Sequence, residues 1–327
     1  MYVVKHPKGS TLEQQIIKLR LVFAASLCTI LFSLSAICGH RSAKLIGGTE
    51  ANFWRLTFAT LFLGLWSYGF GMGLSGIAFP LFLLSGILGI GIGDVAYFQA
   101  LPRLGSRLSL LLIHCLTAPF GALLEWWWLG TTLTLHQTLC GLGILTGVGI
   151  ALTPGEHLKL SRRELSIGTL YSLLAALGGA GGAVLSRKAY ALAQANGQPI
   201  DGANAAFQRI VGGLFIGGLC LLTVKRHAFL PQAQSQPQVA LEASKTKWRG
   251  VWFWVLGNCV AGQTLGVSCM QWAFETTPTG IVLPIIAMTP IVIIPFALLL
   301  EGERPSIRSL VGGAIAVAGA VTLTFSH

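Results

Sequence analysis

The sequence predicts an all-α integral membrane protein, with ten transmembrane helices in two five-helix repeats of inverted topology. Three observations lead there. The 327 residues are 53% hydrophobic and 10% charged, with a mean hydropathy of +0.71, whereas a soluble chain carries about 25% charged residues. Apolar runs of about 20 residues, the length a helix needs to cross a bilayer, recur along the whole chain. The second half repeats a pattern of prolines, glycines and aromatic residues found in the first.

The runs cover 21–39, 52–69, 76–101, 107–129 and 134–153, then 166–186, 204–224, 250–274, 279–300 and 306–325. Residues 1–20 form an N-terminal extramembrane segment. Its Lys5, Lys8, Lys18 and Arg20 precede the first run as the charged region of a signal peptide would. More apolar runs follow instead of a soluble domain, so a retained first helix is expected. The fourth run ends near Trp126-Trp127-Trp128, and tryptophan marks the membrane–water interface. That puts the neighbouring Glu125 near the headgroups. The linker 154–165 divides a first repeat, 21–153, from a second, 166–325, and 225–249 is the other polar connection.

The repeat is visible residue by residue. Pro119 precedes Gly141 by 22 residues, and Pro290 precedes Gly312 by 22. Tyr97-Phe98-Gln99-Ala100-Leu101 ends the third run as Met270-Gln271-Trp272-Ala273-Phe274 ends the eighth. Arg55 and Arg209 sit early in the second and seventh runs. Five spans per repeat is an odd number, so the second repeat enters the membrane from the opposite side. Many secondary transporters share that architecture, with the substrate path between the repeats. Glycines four apart, such as Gly89/Gly93, Gly143/Gly147, Gly178/Gly182, Gly213/Gly217 and Gly262/Gly266, allow close approach of helices in lipid. Pro119, Pro284, Pro290 and Pro295 are expected to kink the fourth and ninth spans.

The formal charge is +11, but the cations are scattered between apolar runs. They suit anionic lipid headgroups rather than the basic stripe of a nucleic-acid binder. The seven cysteines lie singly inside apolar runs and read as small packing residues. Metalloprotease, phosphate-loop and nucleophile-elbow motifs are absent, so an enzyme is not expected, nor any metal, ATP site or organic cofactor.

Gly93-Asp94-Val95-Ala96-Tyr97-Phe98-Gln99-Ala100-Leu101 followed by Leu104-Gly105-Ser106, and Thr277-Pro278 through Pro290 to Leu300-Glu301-Gly302-Glu303, Gly312 and Gly319, carry a resemblance. The chain resembles the EamA-type transporters of the drug/metabolite transporter superfamily over nearly its whole length. The resemblance implies ten helices, export of a small metabolite such as an amino acid, and a multi-pass protein of the bacterial cytoplasmic membrane, as monomer or homodimer. Two departures stand out: Thr131 replaces the acid after Leu129-Gly130, and Val267 replaces the repeat mate of Asp94. Lys and Arg number six on the side of the N-terminus and fourteen on the other. That distribution favours termini outside, against the family's termini inside.

Asp94 is the foremost site candidate. A carboxylate inside hydrocarbon is costly, so it faces a cavity or a partner, where it can carry a proton, meet a substrate ammonium or tie helices together. Tyr97 shares its helix face, and Gln99 lies in the same motif. His114, in the fourth span, titrates near neutrality when unperturbed and could serve Asp94 as a relay. Arg55 and Arg209 either grip an anion, pair with Asp94 or snorkel to the interface; the interface is the favoured reading. Asn258, Gln263, Gln271 and Trp272 give the eighth span a polar side that lines the path or bonds to neighbouring helices. The expected function is secondary transport of a small polar metabolite, with lipid around the protein and protons as coupling ion. The alternatives are a membrane-embedded enzyme or lipid-handling protein built around Glu301, Glu303 and Arg304, a proton-independent uniporter or exchanger, and a passive channel.

Overall fold

The computed structural model describes residues 11–129, 134–152, 161–225, 248, 250–276, 282–283, 286–302 and 306–324. Helix α1 spans Thr11–Ile46 and α2 Gly48–Phe70. Helix α3 (Phe79–Gly86) runs through a π-helical stretch, π1 (Ile87–Ile92), into α4 (Gly93–Leu129). Then come α5 (Leu135–Leu152), α6 (Arg162–Ala195) and α7 (Gly202–Lys225). The same α–π–α construction returns in α8 (Val251–Asn258), π2 (Cys259–Gly266) and α9 (Val267–Thr276). Helices α10 (Thr289–Leu300) and α11 (Ile307–Thr324) complete the fold. The described residues hold no strand.

By length and apolarity, three described helical stretches suffice to cross a membrane: Phe79–Gly121, Arg162–Ala195 and Gly202–Val224. Thr289–Leu300 and Leu310–Gly319 are apolar but shorter. The expected ten crossings therefore exceed what these criteria establish. Pro284, Glu303, Arg304 and most of the two polar connections lie outside the described residues.

One expectation about breaks is met and one is corrected. The break expected between the third and fourth spans falls at Gly105, where φ is 81° and ψ 169° and the helix turns a corner inside α4. This is backbone that essentially only glycine adopts at low cost. Pro290 does not kink a long ninth span; a turn at Ala287–Met288 precedes α10 and Pro290 sits in its first turn, where proline's missing N–H would be unpaired anyway.

Most helices find their principal partner in the other half of the chain; α9 packs first on α7 of its own half. α1 packs on α8, π2, α9 and α10; α6 packs on α3, π1 and α4; α2 packs on α7 and α5 on α11. In lipid the hydrophobic effect between helices is weak, so close packing carries the association. Glycines permit it: a Cβ on Gly178 would lie 2.7 Å from the Leu88 carbonyl oxygen, and one on Gly182 would lie 3.0 Å from the Gly89 Cα. These are two of the four-spaced pairs meeting face to face. Gly143, by contrast, has nothing within 4 Å.

Candidate functional site

Both π-helical stretches receive an arginine from the opposite half. A Cβ on Gly89 in π1 would lie 3.0 Å from Arg209 Nη2, and one on Gly262 in π2 would lie 3.8 Å from Arg55 Nη1. Between them lies a cavity of about 150 Å³, with Arg55, Asp94, Tyr97, His114, Arg209 and Gln263 on its wall. π-helical turns recur at functional sites, and here they frame the only acid on the cavity among the described residues.

Arg55 and Arg209 do not snorkel. Each is 3% exposed, and each lies well inside its helix, because α2 starts at Gly48 and α7 at Gly202. Arg55 donates through Nε and Nη2 to Asn52 Oδ1, one turn back, at 3.0 and 2.9 Å. Nη2 also donates to Asp94 Oδ2 at 2.6 Å. Its guanidinium lies 4.4 Å from the centre of the Phe98 ring, a cation–π contact. Gln263 Nε2 adds a second bond to Asp94 Oδ2, at 2.7 Å. Asp94 is thus tied to its own half by Arg55 and to the other half by Gln263.

Arg209 is anchored differently. Its Nε donates to Ser85 Oγ at 2.9 Å, and Ser85 Oγ donates to the Gly182 carbonyl at 2.6 Å while contacting Ser186 Oγ at 2.9 Å. Arg209 Nη1 is buried with no partner among the described residues, and Gln263 Oε1 shares that condition.

Tyr97 and His114 also reach the cavity wall. Tyr97 meets Phe98 edge-on at 5.5 Å, and His114 stacks on Phe32 at 5.9 Å. The hydrogen bonds to Asp94 come from Arg55 and Gln263, so His114 is no direct relay to it here.

The remaining candidates lie off the cavity wall. Gln99 donates to Thr49 Oγ1 at 3.0 Å at the start of α2. Asn258 donates to the Ser35 carbonyl at 2.6 Å, joining α8 to α1. Gln271 is fully buried with both amide atoms unpartnered among the described residues, and Trp272 is 42% exposed. The expectation of one continuous polar face assumed a 3.6-residue period throughout. Asn258 precedes π2 and Gln271 and Trp272 follow it, and of the four only Gln263, within it, reaches the wall.

A second polar cluster was not foreseen. Glu301, at the C-terminal end of α10, accepts hydrogen bonds from His40 Nδ1 and from Ser106 Oγ, the latter at 2.5 Å. Arg41 donates to the Leu300 carbonyl. Burial alone would push the Glu301 carboxyl up; the hydrogen bond and charge of His40, with Ser106 and Arg41, outweigh it and hold the group below its ordinary value. The cluster ties α1, the start of the span after Gly105, and α10 together, and so engages one of the two acids named for the enzyme alternative. Groups of three or more His, Cys, Asp or Glu suited to a metal are absent among the described residues.

Compared with known proteins, the chain matches the model of the EamA-like transporter family over residues 19–153 and 166–325. Curated proteins give no match. One solved structure, described only as the crystal structure of a protein, is similar with a TM-score of 0.60 at 16% identity. The likeness covers 93% of this chain and 96% of that one and concerns the fold alone.

Proposed function

Because the chain belongs to the EamA-like transporter family, we propose that it is a secondary transporter that moves a small polar metabolite through the Arg55–Asp94–Arg209 cavity by alternating access. The observation that carries this reading is the cavity itself: buried charged groups from both halves converge on one space. A charge inside a membrane protein is expensive and marks a substrate or ion pathway. The partner exchange between halves, with α2 on α7 and α5 on α11, supports ten crossings in two inverted repeats that rock about this point. Asp94 serves as the coupling or substrate-contacting acid, and protons are the coupling ion. Export across a bacterial cytoplasmic membrane completes the reading, with amino acids among the candidate substrates.

The test is flux in proteoliposomes. Gly179 lines the cavity, and a Cβ there would meet only Thr117 Oγ1 and Cγ2, at 3.6 and 3.8 Å. Gly179→Leu therefore extends a side chain into the space without a backbone clash. Saturable flux of a solute by wild type, lost in a folded Gly179→Leu protein, is expected. Flux that is unsaturable, or indifferent to this substitution, contradicts transport through the cavity.

A further inference from the structure

The charges around the cavity do not balance. Arg55 and Arg209 face it together with a single carboxylate, Asp94, and the other titratable groups on its described wall are Tyr97 and His114. Arg55 has its counter-charge, since its Nη2 bonds Asp94 Oδ2 at 2.6 Å. Asp94 Oδ2 is further occupied by Gln263 Nε2. Arg209 has no such partner. Its one described hydrogen bond joins Nε to the neutral Ser85 hydroxyl, and Nη1 is buried and unpaired on a side chain 3% exposed.

A guanidinium nitrogen buried without an acceptor is costly, and a ligand acceptor relieves that cost. Arginine's planar fork suits carboxylates above all, because two parallel N–H···O bonds can form at once. Ser85 holds Nε, so the fork is already oriented before a ligand arrives. Resting on the transport reading above, we propose that Arg209 is the docking point for an anionic group of the substrate, and that the cavity selects small organic monoanions, carboxylates foremost.

The class follows from the charge count. One negative charge neutralises the surplus, and an ammonium adds to it. An ammonium at Asp94 would compete with the Arg55 guanidinium, which together with Gln263 already engages Oδ2. Gln263 Oε1, buried and unpartnered, is the complementary feature: it accepts from a hydroxyl or N–H on the same ligand. A hydroxy acid therefore fits better than a plain fatty acid.

The test uses the full chain in detergent and three matched series at constant ionic strength. Acetate, lactate and benzoate are compared with acetamide, lactamide and benzamide, and with ethylamine and benzylamine, by thermal stabilisation titrations. At least one acid is expected to bind about tenfold or more tighter than its amide, the span of one charge-assisted hydrogen bond. Arg209→Gln abolishes that preference and Arg209→Lys, which keeps the charge without the fork, retains part of it. Arg103→Gln, away from the cavity, leaves it unchanged. If Arg209→Gln does not fold, Arg209→Lys decides by its partial loss. Amides or amines binding as tightly as acids, no binding of any acid, or a preference untouched by both Arg209 variants overturns the proposal. Flux of the same compounds separates it from the transport reading: an acid preference without flux leaves the anion site standing and removes transport, and flux of amines alone does the reverse.

Discussion

Replacing Asp94 probes how the two halves are held together. Asp94 Oδ2 accepts from Arg55 at 2.6 Å and from Gln263 at 2.7 Å. Both bonds are charge-assisted, and such bonds are worth about 1.5–3 kcal/mol each against about 0.5–1.5 for neutral ones. Asp94→Asn keeps a carbonyl that accepts from both donors, but it loses the charge-assisted increment on the Gln263 bond, about 1–1.5 kcal/mol, and also the counter-charge of Arg55. Asp94→Leu removes the acceptor and leaves the Arg55 guanidinium buried beside Phe98 without its counter-ion, a change that costs about 3–5 kcal/mol. Adding Arg55→Leu to Asp94→Leu removes the orphaned charge and recovers part of the loss. Denaturant unfolding of wild type, Asp94→Leu, Arg55→Leu and the double variant in mixed micelles measures the cycle. A coupling of at least about 1.5 kcal/mol between the two sites is expected for a contacting buried pair. Additivity within about 0.5 kcal/mol would refute the argument that these side chains stabilise one another.

Gly178→Ala forces a Cβ to 2.7 Å from the Leu88 carbonyl and 3.0 Å from the Gly93 Cα. Both are backbone atoms, so a loss of about 1–3 kcal/mol is expected from overpacking, read as a lower melting temperature; an unchanged melt contradicts the close contact of α6 with π1. Gly105→Ala meets no atom within 4 Å, so its cost is backbone strain alone, about 1–3 kcal/mol. Gly105→Asn, which tolerates positive φ better, should lose less. Glu301 is held below its ordinary value in the fold, so the stability it contributes is full above about pH 4.3, the unfolded glutamate value. That stability is lost as the pH falls through the lower folded value. Wild type should therefore melt higher than Glu301→Gln at neutral pH, with the gap closing in acid; a gap that widens on acidification reverses the assignment.

Composition alone carried the membrane assignment, because 10% charged residues cannot cover a water-facing surface. Asp94 was legible for a related reason: an acid within an apolar run demands an explanation wherever it points. The arginines were harder. Their runs appear to begin at 52 and 204, which puts Arg55 and Arg209 at the edge, but the helices start at Gly48 and Gly202. The polar residues Thr49, Glu50 and Asn52 conceal the first turn of α2, as Asn204 does in α7. Glu301 sits at a helix end, but its partner His40 lies 261 positions away in sequence, and nothing local announces such a pair. The π-helical stretches leave no periodic trace in the sequence, and of the four polar residues of the eighth span only Gln263 reaches the cavity.

The central claim, solute movement coupled to protons through the Asp94 cavity, is tested most directly in liposomes loaded with a pH-sensitive dye. Purified wild type and Asp94→Asn would be challenged with pools of organic acids, amino acids, amines and sugars. The account predicts that one pool drives internal pH change in wild type and that the signal is lost in a folded Asp94→Asn protein. Saturable flux of a labelled solute that moves no protons and persists in Asp94→Asn would contradict it, and would reduce Asp94 to a tie between the two halves.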